Sequence, residues 1–193
     1  MNYYLLMNDD ESHPNRWYLG GLKNFNNSIL LDPPVEYMEP SKYIAELREP
    51  GESMDYTIAG PSNIPIVSQK LYDCLKGLPE VDKKYHYVEF HPVNIIDYKS
   101  DNNFYVMTIE TKIDCVDLIN SSGEEISGHK CVLEERSGQY RQVFEFAVCG
   151  DKINSDIFRS ETGLGSIIVS QRVKDRLDEA NVTGVILKKL VTT

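Results

Sequence analysis

One ten-residue segment occurs twice in the chain, and this repeat restricts the possible folds more than any other feature. Residues 66–75 read I-V-S-Q-K-L-Y-D-C-L, and residues 168–177 read I-V-S-Q-R-V-K-D-R-L. Six of the ten positions are identical, and the second copy starts 102 residues after the first. In each copy apolar residues precede a serine and then recur at helical spacing, which predicts a short strand followed by an amphipathic helix.

The serine of each copy stands where a helix N-cap is expected. We therefore assign Ser68 and Ser170 a structural role, because a cap hydroxyl accepts a hydrogen bond from a free amide in the first turn. A further strand is predicted after each helix, so the pattern indicates a repeated strand–helix–strand unit. An old duplication, two parallel uses of one supersecondary unit, or a chance recurrence of capping residues explains the similarity. Two copies are too few for a solenoid.

The rest of the chain predicts short strands separated by turns. We expect strands at residues 3–7, 16–19, 43–47, 54–59, 64–67, 85–96, 103–110, 115–119, 131–134, 143–148, 167–169 and 185–190. Because the two helices do not alternate regularly with these strands, the predicted class is α+β with a mainly antiparallel sheet and two Ser-capped helices. A length of 193 residues fits one domain, or two lobes at residues 1–110 and 111–193 that each carry one copy of the unit.

Charge excludes several classes of partner. The chain carries 20 Lys and Arg against 30 Asp and Glu, a formal net charge of -10. This balance disfavours direct nucleic-acid binding and adhesion to anionic membranes, because both need an excess of cations. It favours a basic protein partner. Residues 1–10 lack the positive start of a signal peptide, and no apolar run is long enough for a bilayer, so a cytoplasmic protein is expected.

Motifs for cofactors, metals and catalysis are not found. The sequence 163–166 offers G-L-G-S without a third glycine and predicts a turn rather than a phosphate loop. Ser68 and Ser170 have no neighbouring base, and no zinc-hydrolase motif occurs. The four cysteines, Cys74, Cys115, Cys131 and Cys149, form no metal-ligand pattern and are expected to be reduced and buried. We therefore expect no cofactor and no metal.

One strand carries the most suggestive polar pair. Along residues 85–96, strand alternation places Glu89 and His91 on one face and His86 on the other. Glu89 and His91 could contact a partner or a metal ion. A solvated face, or one packed on aromatic residues, is the simpler interpretation.

The order of several short motifs resembles an immunity protein family of bacterial polymorphic-toxin systems. Its duplicated signature, I-V-S-x-x-[LV]-x-x-x-L, matches both copies of the repeat. The segments V-E-F-H-P-V at 88–93, D-C-V-D at 114–117 and V-T-G-V at 182–185 follow in the order of that family. The resemblance covers roughly residues 54–190. It implies a cytoplasmic antitoxin that binds one cognate toxin domain, and it implies no catalytic residues.

The first hypothesis is therefore a non-enzymatic immunity protein that occludes a cytoplasm-acting toxin, such as a basic nuclease. The expected partner-binding residues are acidic or lie beside acids: Glu46, Glu49, Glu52, Asp55, Glu89, His91, Glu124 and Glu125. The stretch 32–55 contains seven acids and two cations. One alternative is a small enzyme that reverses toxin damage, with Glu89, His91 and Asp114 as its candidate residues. Another is a regulatory or scaffold module. The sequence does not fix the oligomeric state.

Overall fold

The structure is a computed structural model that describes residues 1–23, 43–60, 64–82, 87–99, 101–125, 140–145, 147–161 and 166–193. In chain order its elements are β1 (Tyr3–Asn8), β2 (Tyr18–Leu22), β3 (Tyr43–Glu49), β4 (Tyr56–Ala59), β5 (Ile64–Ser68), α1 (Gln69–Leu75), α2 (Pro79–Asp82), β6 (Val88–Ile96), β7 (Phe104–Ile109), β8 (Lys112–Ile113), β9 (Ser122–Glu125), β10 (Tyr140–Glu145), β11 (Ala147–Val148), β12 (Ile157–Ser160), β13 (Ile167–Ser170), α3 (Gln171–Glu179), β14 (Val185–Lys189) and β15 (Val191–Thr192). Strands dominate, and the α+β class is confirmed.

A closed barrel forms from the strand order β2-β3-β6-β7-β5-β4. Most neighbours in it are antiparallel, but β3 runs parallel to β6 and β2 runs parallel to β4. Trp17, Tyr43 and Phe104 are buried in its interior together with aliphatic side chains. Closure gives each strand a neighbour on both sides, so few backbone groups are left at an edge.

A second sheet has the order β14-β1-β13-β12-β8. The N-terminal strand β1 lies between β14 and β13 and is antiparallel to both. Beside this sheet, β11 and β15 form a parallel pair, and β9 and β10 form an antiparallel pair. The first residues of the chain thus complete a sheet that is otherwise built from the last eighty or so residues.

Helices α1 and α3 pack on a core that draws residues from the barrel and from the second sheet. Leu71 and Leu75 of α1 and Val173 and Leu177 of α3 are buried in it. Each such side chain contributes about 1.5–3 kcal/mol relative to an exposed one. β5 is buried along its whole length because one face lines the barrel and the other faces this shared core.

The helices begin at the two serines of the repeat. Ser68 Oγ accepts from the Leu71 amide at 3.3 Å, and Ser170 Oγ accepts from the Val173 amide at 3.4 Å. Both serines have extended backbone geometry. Each hydroxyl therefore satisfies one of the amides that a helix start leaves without an internal partner.

Some predicted elements differ from the structure. The strand expected at 115–119 is wrong: Val116 forms a single bridge to Val148, and the Asp117 carboxylate then accepts from the amides of Ile119 and Asn120, which turns the chain. The short helix α2 and the barrel were not predicted. The strand expected at 131–134 and the turn at 163–165 lie outside the described residues. Among the described residues, no helix has the length and apolarity needed to span a membrane.

Candidate partner-binding surface

Three of the predicted partner-binding acids lie on β3 or just after it, and we call Glu46, Glu49 and Glu52 the acidic edge. All three are exposed. Tyr43 and Ala45 point into the barrel, so alternation directs the Glu46 side chain outward. The Glu46 carboxylate is about half exposed, and it lies 3.9 Å from the ammonium group of Lys23.

An exposed tyrosine lies beside the acidic edge. Tyr18 of β2 pairs with Glu49 across the strand ladder, and 41% of its surface is exposed. Arg16 pairs with Glu52 in an isolated bridge, and its guanidinium lies 5.8 Å from the centre of the Tyr18 ring. Tyrosine provides rigid contact area, so a tyrosine flanked by acids suits recognition of a protein surface.

Arg16 holds this region together, and sequence reasoning missed it. Its side chain is 1% exposed and lies 3.5 Å from the Asp10 carboxylate. It donates to Asn8 Oδ1 at 3.0 Å and to Thr57 Oγ1 at 2.8 Å. Because this cation is buried and engaged by its neighbours, it adds no exposed positive charge to the acidic edge, whose neighbouring exposed cations are Lys23 and Arg48. A single arginine in a loop has no periodic pattern that could have identified it.

Asp55, another predicted partner contact, is instead an internal hydrogen-bond centre. Its carboxylate accepts from Ser68 Oγ at 2.7 Å, from the Thr183 amide at 2.9 Å and from Thr183 Oγ1 at 3.0 Å. It also pairs with Lys70 Nζ at 2.8 Å, and 14% of the side chain is exposed. Burial acts to raise the Asp55 pKa, but these donors, led by Lys70, outweigh it and hold the pKa below 3.8.

Glu89 and His91 come together as predicted for one strand face. Glu89 Oε2 lies 3.2 Å from His91 Nε2, but that nitrogen is not aligned for a hydrogen bond. His91 is buried and its ring packs edge-on against Tyr43, with centres 5.8 Å apart. Burial lowers the His91 pKa below 6.5, although Glu89 acts in the opposite direction. His91 is therefore packed inside the fold, whereas the Glu89 side chain is partly exposed.

Other predicted residues fall partly outside the described structure. Glu124 and Glu125 lie on β9, whose backbone pairs with β10, while their side chains lie outside the described part. His86, Cys131 and residues 32–42 of the acidic stretch also lie outside it. Cys74, Cys115 and Cys149 are free thiols, and burial raises the pKa of Cys115 to about 11, so this thiol is poorly nucleophilic.

The candidate residues for catalysis do not converge in the described part of the chain. Asp114 is 64% exposed and lies 4.0 Å from Lys152, beyond β8, whereas Glu89 and His91 belong to the barrel strand β6. Within the described residues, no group of three or more His, Cys, Asp or Glu side chains could hold a metal ion.

Two cavities open among the described residues. One, of about 370 Å³, lies at the turn joining β6 and β7 and is lined by asparagines, tyrosines and apolar residues without a charged side chain. The other, of about 310 Å³, lies between α1 and α3. There Arg176 donates to the backbone carbonyls of Cys74 and Lys76. The arginine therefore caps the C-terminal end of α1.

Comparison with protein families gives a match. The profile of the Immunity protein family (Imm11) matches residues 7–192, nearly the whole chain. No curated protein matches the chain. The family match confirms the resemblance carried by the duplicated signature and extends it over the first fifty residues. The chain belongs to the Imm11 immunity protein family.

Proposed function

We propose that the protein neutralises a cognate toxin by binding it in a stoichiometric complex that occludes the toxin's active site or substrate path. The observation that carries this proposal is the family match over residues 7–192. The proposed place of action is the cytoplasm, where an intracellular toxin would be met before it reaches its target.

The acidic edge, with Tyr18 beside it, is the proposed contact surface. Exposed carboxylates on β3 or just after it would attract a basic toxin domain from a distance, and the tyrosine would supply contact area. A nuclease fits this chemistry, because a protein that binds phosphates needs a basic surface. Covering that surface would block substrate entry.

Co-expression tests the proposed activity. The toxin encoded beside this gene should arrest growth when expressed alone, and this chain should restore growth and co-purify with the toxin. Growth arrest that persists when both proteins are made in soluble form would overturn the proposal. Rescue without a stable complex would favour the enzymatic alternative.

Charge reversal tests the proposed surface. Replacing Glu46, Glu49 and Glu52 by lysine should slow association about tenfold at low salt and have less effect at high salt. The matched control replaces the exposed acids Asp151, Glu161 and Glu179 by lysine. Each reversal changes the charge by two, so both variants carry a formal net charge of -4 instead of -10. Equal slowing in the two variants would show that association depends on net charge alone. It would exclude the acidic edge as the contact surface.

Catalytic reversal of toxin damage needs its own test. The substitutions Glu89→Gln and Asp114→Asn remove the partly exposed acids of that hypothesis and leave buried His91 in place. Protection should be unchanged in both variants, because the proposed contact surface, the acidic edge, includes neither carboxylate. Loss of protection with toxin binding retained would make the enzymatic role the better account.

We also propose that the two Ser-capped helices belong to two copies of one strand–helix–strand unit. The supporting observation is a shared contact set. Ser68 donates to Asp55 Oδ1 at 2.7 Å, and Ser170 donates to Asp156 Oδ1 at 2.5 Å. Each aspartate pairs with the cation two residues after the serine: Lys70 at 2.8 Å and Arg172 at 3.2 Å.

A further inference from the structure

The strand pairings on one side of the barrel recur in the second sheet. In the barrel, β4 is antiparallel to β5, β5 to β7 and β7 to β6. In the second sheet, β12 is antiparallel to β13, β13 to β1 and β1 to β14. Helix α1 follows β5, and helix α3 follows β13. The N-terminal strand β1 therefore holds the position in the second sheet that β7 holds in the barrel.

The other barrel pairings have counterparts of the same sense. In the barrel, β6 is parallel to β3, β3 is antiparallel to β2, and β2 is parallel to β4. In the second half, β15, which continues β14, is parallel to β11, and β11 forms an antiparallel bridge to Val116. β8, on the same segment as Val116, is parallel to β12. Six segments thus pair in the same order in both halves, as a closed barrel in the first and through a five-stranded sheet and the short β11–β15 pair in the second.

The correspondence holds at single residues of the two equivalent strands. β7 begins after Asn103 with Phe104 and Tyr105, and β1 begins after Asn2 with Tyr3 and Tyr4. The matched ladder pairs, barrel first, are Ser68 with Phe104 and Ser170 with Tyr3, then Val67 with Tyr105 and Val169 with Tyr4. Such agreement requires the same register in both sheets, since a shift by one residue would exchange the faces.

The first residue of each helix is a glutamine that makes the same two hydrogen bonds to these strands. Its side-chain oxygen accepts from a tyrosine hydroxyl, and its backbone amide donates to an asparagine backbone carbonyl. The first set joins Gln69 to Tyr105 at 2.5 Å and to Asn103 at 2.9 Å. The second joins Gln171 to Tyr4 at 2.6 Å and to Asn2 at 3.0 Å.

We propose that the protein consists of two copies of one barrel unit and that the N-terminal strand completes the second copy. The first copy spans residues 16–110, and the second spans residues 111–193 together with residues 2–9. The slot between β13 and β14 is then a strand-binding site whose occupant is residues 2–9 of this chain. This inference rests on the repeated unit proposed above. Its tests measure folding rather than toxin binding, so the two proposals can fail separately.

The occupant has the side chains that a central strand needs. Tyr4 and Leu6 are buried in the shared core. On the opposite face Tyr3 packs against Phe158, with ring centres 6.3 Å apart. The Leu190 amide donates to the Tyr3 carbonyl at 2.9 Å. The two chain ends therefore correspond to the turn that joins β6 to β7 in the first copy.

A circular permutant tests the inference. Thr193 is joined to Asn2 by a copy of residues 97–102, the sequence D-Y-K-S-D-N, and the chain is opened between Ser12 and His13. The permutant should fold, with the circular dichroism spectrum of the parent and a melting temperature within about 5 °C of it. A permutant that stays unfolded would overturn the inference, because its linker would then not match the position of the chain ends.

Strand complementation provides an independent measurement. A chain that lacks residues 1–9 should lose β-sheet signal, and a synthetic peptide of residues 2–9 should restore it in a saturable way. The control peptide carries Leu6→Asp and should not restore the signal, because it places a charge in the shared core. An unchanged spectrum after the deletion, or equal rescue by both peptides, would contradict a specific strand site. If the shortened chain precipitates, the same Leu6→Asp change made in the permutant should prevent its folding.

Discussion

Two glycines show how single residues constrain this fold. Gly184 has φ of +80°, and a Cβ placed there would lie 2.2 Å from the Tyr56 carbonyl oxygen. Gly77 has φ of +79°, but the nearest atom, an Arg176 guanidinium nitrogen, would lie 3.9 Å away. The left-handed backbone disfavours a side chain at both positions. At Gly184 the β4 backbone also leaves no space for a Cβ atom.

Alanine substitution should separate these two effects. Gly77→Ala should lower the free energy of unfolding by about 1 kcal/mol, the cost of a left-handed non-glycine residue. Gly184→Ala should lower it by about 4 kcal/mol or more, because the backbone must also move. Urea unfolding of the two variants measures the difference. Similar losses would show that the contact between Gly184 and Tyr56 is not close in solution.

Asp55 predicts a defined dependence of stability on acid. Its pKa in the folded state lies below 3.8, so its contribution is present above pH 3.8 and is lost as pH falls through the folded-state pKa. Asp55→Asn should destabilise the protein by about 1–3 kcal/mol near pH 7 and flatten the stability profile at low pH. Asp151→Asn, at an exposed site, is the control. A profile equally steep in the Asp55 variant and the parent would contradict this role.

The roles of some single residues could be predicted from the sequence, and the roles of others could not. The roles of Ser68 and Ser170 were predictable because an N-cap bonds an amide three residues away. The role of Asp55 was not, because its partner Thr183 is 128 residues distant in the chain. Glu89 and His91 were placed on one face by alternation, but the Tyr43 ring that buries His91 comes from a strand far away in sequence.

At the scale of elements, the two helix caps should be equivalent. Ser68→Ala and Ser170→Ala should each cost about 1 kcal/mol, since each removes a cap bond and one donor to an aspartate. Ser53→Ala, outside any helix, should have little effect. Thermal unfolding of the three variants measures this. A cost confined to one of the two caps would contradict the equivalence of the two units.

Helices α1 and α3 were predicted and strand neighbours were not, for a physical reason. A helix is specified by apolar spacing and a cap within ten residues, as in α1 and α3. Strand order depends on pairings between distant segments, such as β1 with β14, which no local pattern reports. A proline gives a partial signal: Pro92 lies on β6 just before its pairing with β3 begins at Val93, and it stands opposite Tyr105 of β7.

At the scale of the whole molecule, we propose that the two halves unfold together. The shared core contains Leu71 and Leu75 from one half and Val173 and Leu177 from the other, so separating the halves would expose these side chains. The fluorescence of Trp17, the single tryptophan, reports the barrel. It should change at the same urea concentration as the far-ultraviolet circular dichroism. Two separate transitions would indicate two lobes that fold independently.

The most direct test of the central claim is a titration of toxin activity with this protein. Toxin activity should fall linearly and reach zero at one protein per toxin, because neutralisation is by occupancy. Separating the complex under denaturing conditions and refolding the toxin should return its full activity. Complete inhibition at a small fraction of one equivalent, or a toxin that stays inactive after separation, would contradict the account and indicate catalysis.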